Sequence, residues 1–171
     1  DIIKETKLIG NYLISLRKDF HKHPELGMEE YRTSKRIKEE LDKIGVKYED
    51  GIKTEVVATI GSGEEKVIAL RADMDALRIQ ENTGVRYESQ NKGLMHACGH
   101  DAHMAALLGA AMILKKYEEI TLKNHTYLSS KGEQKILVIP VEFSDYPASK
   151  LKGGEEESLT YIHNAFFGQS S

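Results

Sequence analysis

The run Lys66-Val67-Ile68-Ala69-Leu70-Arg71, followed at once by Ala72-Asp73-Met74-Asp75-Ala76-Leu77, constrains this chain more than any other stretch. Its apolar, β-prone residues read as a buried strand. Two carboxylates then emerge at the strand's carboxyl end, the edge at which open α/β sheets usually bind ligands. Residues two apart in extended backbone point to one side, so Asp73 and Asp75 can face a single ion. A solvated turn or a helix cap is the other use of such a pair.

Helical patterns surround this strand. Ile3, Leu8, Leu13, Leu16 and Phe20 recur at near-helical spacing over residues 2–20, and Ile37, Leu41 and Ile44 do so over residues 29–44, with Gly45 placed as a C-cap. Between them His21-Lys22-His23-Pro24-Glu25 reads as a loop. His21 and His23 have a spacing that metals accept, but Pro24 favours an extended connection and a non-ligating reading. The charged face of the second helix, with Arg32, Lys35, Arg36, Lys38, Glu39 and Glu40, is expected to be solvated. Residues 46–48, 56–60 and 67–70 supply three candidate strands, and the small, apolar residues 105–116 end in lysines as a buried helix does. The expected architecture is α/β, with helices packed on a small mixed sheet.

The chemistry is densest at Met95-His96-Ala97-Cys98-Gly99-His100-Asp101-Ala102-His103, which holds the chain's only cysteine and three of its seven histidines. Thiolate and imidazole together suit a borderline divalent ion such as zinc; imidazole also suits manganese, and a carboxylate can complete or bridge the site. The competing reading is a buried thiol beside polar loop histidines. Cys98 and His100 lie two apart with a glycine between them, and His103 follows three further on, a pattern that favours metal. The segment is expected in the loop leading into the following helix, or in that helix's first turn.

From about Leu16 to Tyr117 the chain resembles the amino-terminal part of the aminoacylase and amino-acid-conjugate amidohydrolase family, co-catalytic metallopeptidases that include indole-acetyl-amino-acid hydrolases. Four segments carry the likeness in order: residues 16–27, 56–60, 69–77 and 95–103. The resemblance implies a zinc-peptidase-like α/β catalytic domain. It implies hydrolysis of an N-acyl amino acid or small peptide by a metal-activated water, with zinc or manganese and room for two ions. Cys98 and His100 match metal-ligand positions, and Asp73 and Asp75 match the carboxylate motif that holds a catalytic auxiliary. A small-molecule substrate is the expected partner, with a homodimer as a candidate state. Arg78 stands where the family usually has proline, and Glu55 where it usually has glycine. The resemblance also implies a Pro-Ala-Glu-Glu motif and two later histidines; no Glu-Glu after Pro-Ala occurs in this sequence. Low or absent activity is therefore expected of the chain alone, with a non-catalytic metal- or partner-binding fragment as the alternative.

Residues 121–171 differ in character from 1–120. Asn124, Ser129, Ser130 and Gly132 mark a polar stretch, and a seam is expected within 118–134. Residues 135–143 form another β-prone run, in which Pro140 places a break or an edge. A turn at 144–147 and a short helix at 158–167 follow. Residues 132–168 weakly resemble the immune inhibitor A type of metallopeptidases, without the His-Glu-x-x-His helix of that family. His125 and His163 read as surface residues.

Composition excludes other classes. At 171 residues the chain suits one domain, or one with a satellite, and a 30% charged content with a net charge of −3 suits a soluble globular protein. No run approaches the ~18 apolar residues of a membrane span. Acids and bases are interleaved, which leaves no nucleic-acid footprint. One unpaired cysteine and no basic-then-apolar leader point to a cytoplasmic location.

Overall fold

The computed structural model describes residues 2–61, 66–124 and 134–140. The helices are α1 (Ile2–Lys22), α2 (Tyr31–Ile44) and α3 (His100–Asn124); the strands are β1 (Lys47–Asp50), β2 (Val56–Ile60), β3 (Lys66–Ala72) and β4 (Gln134–Pro140). They build one sheet in the order β1-β2-β4-β3. β1 pairs with β2 and β2 with β4 in antiparallel fashion, whereas β3 and β4 run parallel, from Lys66 opposite Gln134 to Ala72 opposite Pro140. A parallel pair needs a crossover, and α3 provides it, which places the 73–99 loop at the carboxyl end of β3. The expected α/β fold on a small mixed sheet is what forms.

Of the two roles expected of Pro140, a break or an edge, the structure shows the break: β4 lies between β2 and β3, and Pro140 is the strand's last residue, where a missing N–H costs the ladder little. The turn at 144–147, the helix at 158–167, His125 and His163 lie outside the described residues.

The core gathers Leu16 and Phe20 of α1, Ile37 and Leu41 of α2, Val56, Ala58 and Ile60 of β2, and Met104, Leu108 and Ala111 of α3. Burying a side chain of the Leu, Ile or Phe class contributes about 1.5–3 kcal/mol relative to leaving it in water. The apolar stripe of α1 is shorter than its spacing predicts: Ile3 and Leu8 are 68% and 69% exposed, and contact with the core begins near Leu13. α2 ends as expected at Gly45, whose φ of 68° is left-handed and whose N–H caps the carbonyls of Leu41 and Asp42.

The polar face of α2 is not merely solvated. Glu40 is fully buried and meets Arg36, Lys43 and the Tyr12 hydroxyl, while Asp19 of α1 accepts from Arg32 Nη2 at 2.7 Å and Arg36 Nε at 3.2 Å. This ion-pair lattice joins α1 to α2. Glu25, in the connection between them, caps α2 from outside: its carboxylate accepts from the N–H groups of Arg32 (3.0 Å) and Thr33 (2.7 Å). Its carbonyl also accepts from the N–H of Ala76 at 2.8 Å, which fastens the loop after β3 to the same connection.

Among the described residues no helix is long and apolar enough to cross a membrane.

Candidate metal centre

β3 delivers its two carboxylates as the alternation predicts. Met74 between them is fully buried in the core, and Asp73 and Asp75 face the other way, towards the start of α3. A pair of backbone hydrogen bonds, each 3.0 Å, joins Leu77 to Met95 and lays the 95–99 segment beside the end of β3. The chain then turns through Gly99, at φ 91°, and α3 begins at His100. Cys98 sits in the turn and His100 in the first turn of the helix, as expected.

The four candidate residues Asp73, Asp75, Cys98 and His100 come together. Nδ1 of His100 donates to the Asp75 carbonyl oxygen at 3.0 Å and stands 2.9 Å from Asp75 Oδ1; Nε2 lies 3.6 Å from Asp73 Oδ2. With Nδ1 committed to a carbonyl, Nε2 of a neutral ring carries the lone pair, which is the arrangement of a metal-binding histidine oriented by its backbone partner. The Cys98 Sγ is 3.9 Å from the same Asp75 carbonyl. Asp73 is anchored from outside by Arg71 Nη2 at 2.7 Å and Nε at 3.1 Å.

Electrostatics around these groups follow from burial. Asp75 is nearly enclosed, which pushes its carboxyl above the ordinary range, although His100 beside it pulls the other way. Burial also raises the Cys98 thiol, helped by the negative Asp75 nearby. A cation at this point would reverse both tendencies by stabilising thiolate and carboxylate. The donors thus fit a borderline divalent ion in kind. In number they fall short: among the described residues no three His, Cys, Asp or Glu side chains are grouped so as to hold an ion.

His103 is exposed, its ring centroid 5.9 Å from that of His100. Asp101 is fully buried and engaged elsewhere: its Oδ2 accepts from Arg17 Nε at 2.9 Å and meets His21 Nδ1 at 2.8 Å. His21 is not in a loop. It belongs to the last turn of α1, is buried, and touches Glu81 Oε1 at 3.1 Å through its other nitrogen. Glu81 also accepts from Thr83 Oγ1 and the Ser89 N–H. His23 meets the Asp19 carbonyl instead, so the two histidines do not converge on one ion. The pattern of the sequence does not single out Glu81, because its partners lie 60 residues upstream and in its own loop. His96 is buried in the wall next to Cys98, and burial drives its imidazole down to about 4.

Residues 69–128 match the profile of Peptidase family M20/M25/M40. The chain is 49% identical over 161 residues to IAA-amino acid hydrolase ILR1-like 2 of Arabidopsis thaliana, covering 94% of this chain and 34% of that protein. It is 45% identical over 141 residues to N-acetyl-L-cysteine deacetylase of Bacillus subtilis, covering 81% of this chain and 32% of the relative. A dinuclear metal-binding peptidase of the M20 family from Bacillus subtilis superposes with a TM-score of 0.70 at 34% identity, over 94% of this chain and 41% of that one. The chain spans between about a quarter and a third of the length of the curated relatives it matches. On the matched segment and on the fold that carries it, the chain is similar to the peptidases of family M20/M25/M40.

Proposed function

We propose that this chain forms the first part of a metal-dependent amidohydrolase site, acting on the amide bond of N-acyl amino acids or small peptides. The observation that carries the reading is the orientation of His100, whose Nδ1 is tied to the Asp75 carbonyl while Nε2 faces Asp73, with the Cys98 thiol alongside. Cys98 and His100 would hold zinc or manganese, and a second ion would need donors from beyond the described residues. A bound ion of this kind supplies Lewis-acid polarisation of the amide oxygen and a water acidic enough to attack at neutral pH. Asp73 and Asp75 serve beside it as carboxylates that orient His100 and hold or pass a proton at their oxygens. The names of the relatives, a deacetylase and a hydrolase of amino-acid conjugates, support the substrate class. A cytoplasmic location is proposed with it, supported by the lone, exposed thiol.

The second reading is a fragment that binds metal or a partner without turnover. Release of free amino acid from N-acetyl and N-benzoyl amino acids, with added zinc, manganese or cobalt, separates the two. Slow, ion-dependent release that disappears in Asp73→Ala supports the amidohydrolase reading. No release with any ion supports the second. Turnover near an ordinary enzyme value of about 10 per second would contradict a partial site.

A further inference from the structure

A cleft of about 330 Å3 opens between the end of α1 and the loop before α3, and Cys98 borders both this cleft and the candidate metal centre. Its volume is at the lower end of the ~300–1,000 Å3 of small-molecule sites, which suits one ring-sized group better than a whole substrate. His96, in its wall, is 3% exposed, and no protein group completes a hydrogen bond at either ring nitrogen. The Asp75 carbonyl is a minor influence on the ring and does not close one. A buried, unpaired imidazole is a cost that an apolar side chain of similar size would avoid, and a hydrogen bond from a ligand removes it.

The charged groups of the lining are already used. Arg17 Nε pairs with Asp101, and Glu81 spends Oε1 on His21 and Thr83 and Oε2 on the Ser89 N–H. His21 gives both ring nitrogens to Asp101 and Glu81. An anion entering the cleft thus finds no unpaired cation, and Asp101, whose Oδ1 is buried without a partner, disfavours it further. A cation finds no unpaired carboxylate in the lining. Val85, Met95, Ala97 and the Tyr87 ring supply an apolar surface, and methionine sulfur and aromatic rings pack well against another ring.

We propose that this cleft seats an uncharged aromatic group of the amide substrate, one that carries a hydroxyl or a similar hydrogen-bonding atom for His96. A hydroxyl pairs with a ring nitrogen whichever way the proton lies, because it both donates and accepts. The group belongs either to the acyl half of the substrate or to the amino-acid side chain, and in both cases Cys98 links its seat to the metal centre. Its place in an amide substrate rests on the amidohydrolase reading; the preference for an uncharged, hydrogen-bonding ring rests on the cleft alone.

The test uses the chain stripped of metal with a chelator, so that failure of metal binding or of turnover does not decide it. Phenol and toluene, alike in size, are titrated together with benzoate and benzylammonium while the His96 ring signals are followed by NMR. Phenol is expected to shift His96 and to bind about fivefold or more tighter than toluene and than either ion. A cleft with no unpaired polar atom would instead prefer toluene, which water solvates less well. In His96→Leu the advantage of phenol over toluene should vanish, with the melting temperature unchanged or raised, because an unpaired polar group leaves the interior. Val85→Asp, at a half-buried loop position, should weaken both neutral rings several-fold, and it reads the cleft even where His96→Leu does not fold. N-acetyl-L-tyrosinamide and N-(para-hydroxybenzoyl)glycinamide then compete with phenol: displacement by the first assigns the cleft to the amino-acid side chain, and by the second to the acyl group. Toluene or either ion binding as tightly as phenol would overturn the proposal, as would unaltered phenol binding in either folded variant. Phenol displaced by neither amide would overturn the assignment to the substrate.

Discussion

Nδ1 of His21, in the last turn of α1, stands 2.8 Å from Oδ2 of Asp101, in the first turn of α3. Eighty residues apart in sequence, the two clamp the helix that begins with His100, and Glu81 on the far side of the ring extends the clamp into the 81–89 loop. Replacing His21 by leucine leaves two buried carboxylates without this partner. Removing one member of a buried pair costs about 3–5 kcal/mol, so His21→Leu is expected to be destabilised by roughly that amount. Urea unfolding of the two proteins measures it, and a loss under about 1 kcal/mol, the scale of an exposed pair, would show that the clamp is superficial.

Gly99 permits the turn that sets Cys98 against His100. Its φ of 91° is one that side chains rarely adopt, and an added Cβ would meet nothing within 4 Å, so the cost of Gly99→Ala is one of backbone conformation alone. That cost is about 1–3 kcal/mol. The variant is expected to melt at lower temperature and to bind cobalt more weakly, read from the thiolate-to-cobalt absorption. Unchanged binding would separate the turn from the site.

Glu30 is fully buried, with the Thr54 hydroxyl donating to Oε2 at 2.6 Å and Oε1 unpaired. Burial holds its carboxyl above the ordinary value of 4.5, more than the Thr54 hydrogen bond lowers it. A carboxyl raised in the folded state costs nothing below its unfolded value, where both states are protonated. Its stabilising contribution is lost as the pH rises through the folded value. Glu30→Gln, neutral at every pH, is therefore expected to be at least as stable as the parent at pH 7, with the difference shrinking as the pH falls towards 4.5. Denaturation midpoints across pH 4 to 8 check it, and a variant less stable than the parent at pH 7 would show that the carboxylate is favoured where it is.

Much of this was legible from local pattern. The alternation that buries Met74 in the core and turns Asp73 and Asp75 towards the start of α3, the glycine that ends α2, and the placement of Cys98 and His100 at the head of α3 all follow from chemistry within a few residues. What required the structure is long-range. His21 looks like half of a loop pair with His23 until α1 continues through it and Asp101 and Glu81 arrive from elsewhere. Glu40 looks like one more solvated helix charge until Tyr12 and Arg36 close over it. Pro140 reads as a break or an edge until the pairing places its strand between β2 and β3 and leaves only the break. Periodicity names the face of an element, but not the partner that covers it.

Within 118–134 the residues Asn124, Ser129, Ser130 and Gly132 are turn and linker types. Limited proteolysis is expected to cut there first. First cleavage within residues 73–99 instead would place the weakest backbone beside the candidate metal centre.

The most direct test of the account is the metal content of the chain itself. After loosely held ions are removed, elemental analysis should find zinc or manganese bound to the parent, and a Cys98→Ser, His100→Ala double variant that keeps its helical circular dichroism should have lost it. Equal metal in the two proteins would contradict the assignment of Cys98 and His100 as the ligands around which the site is built.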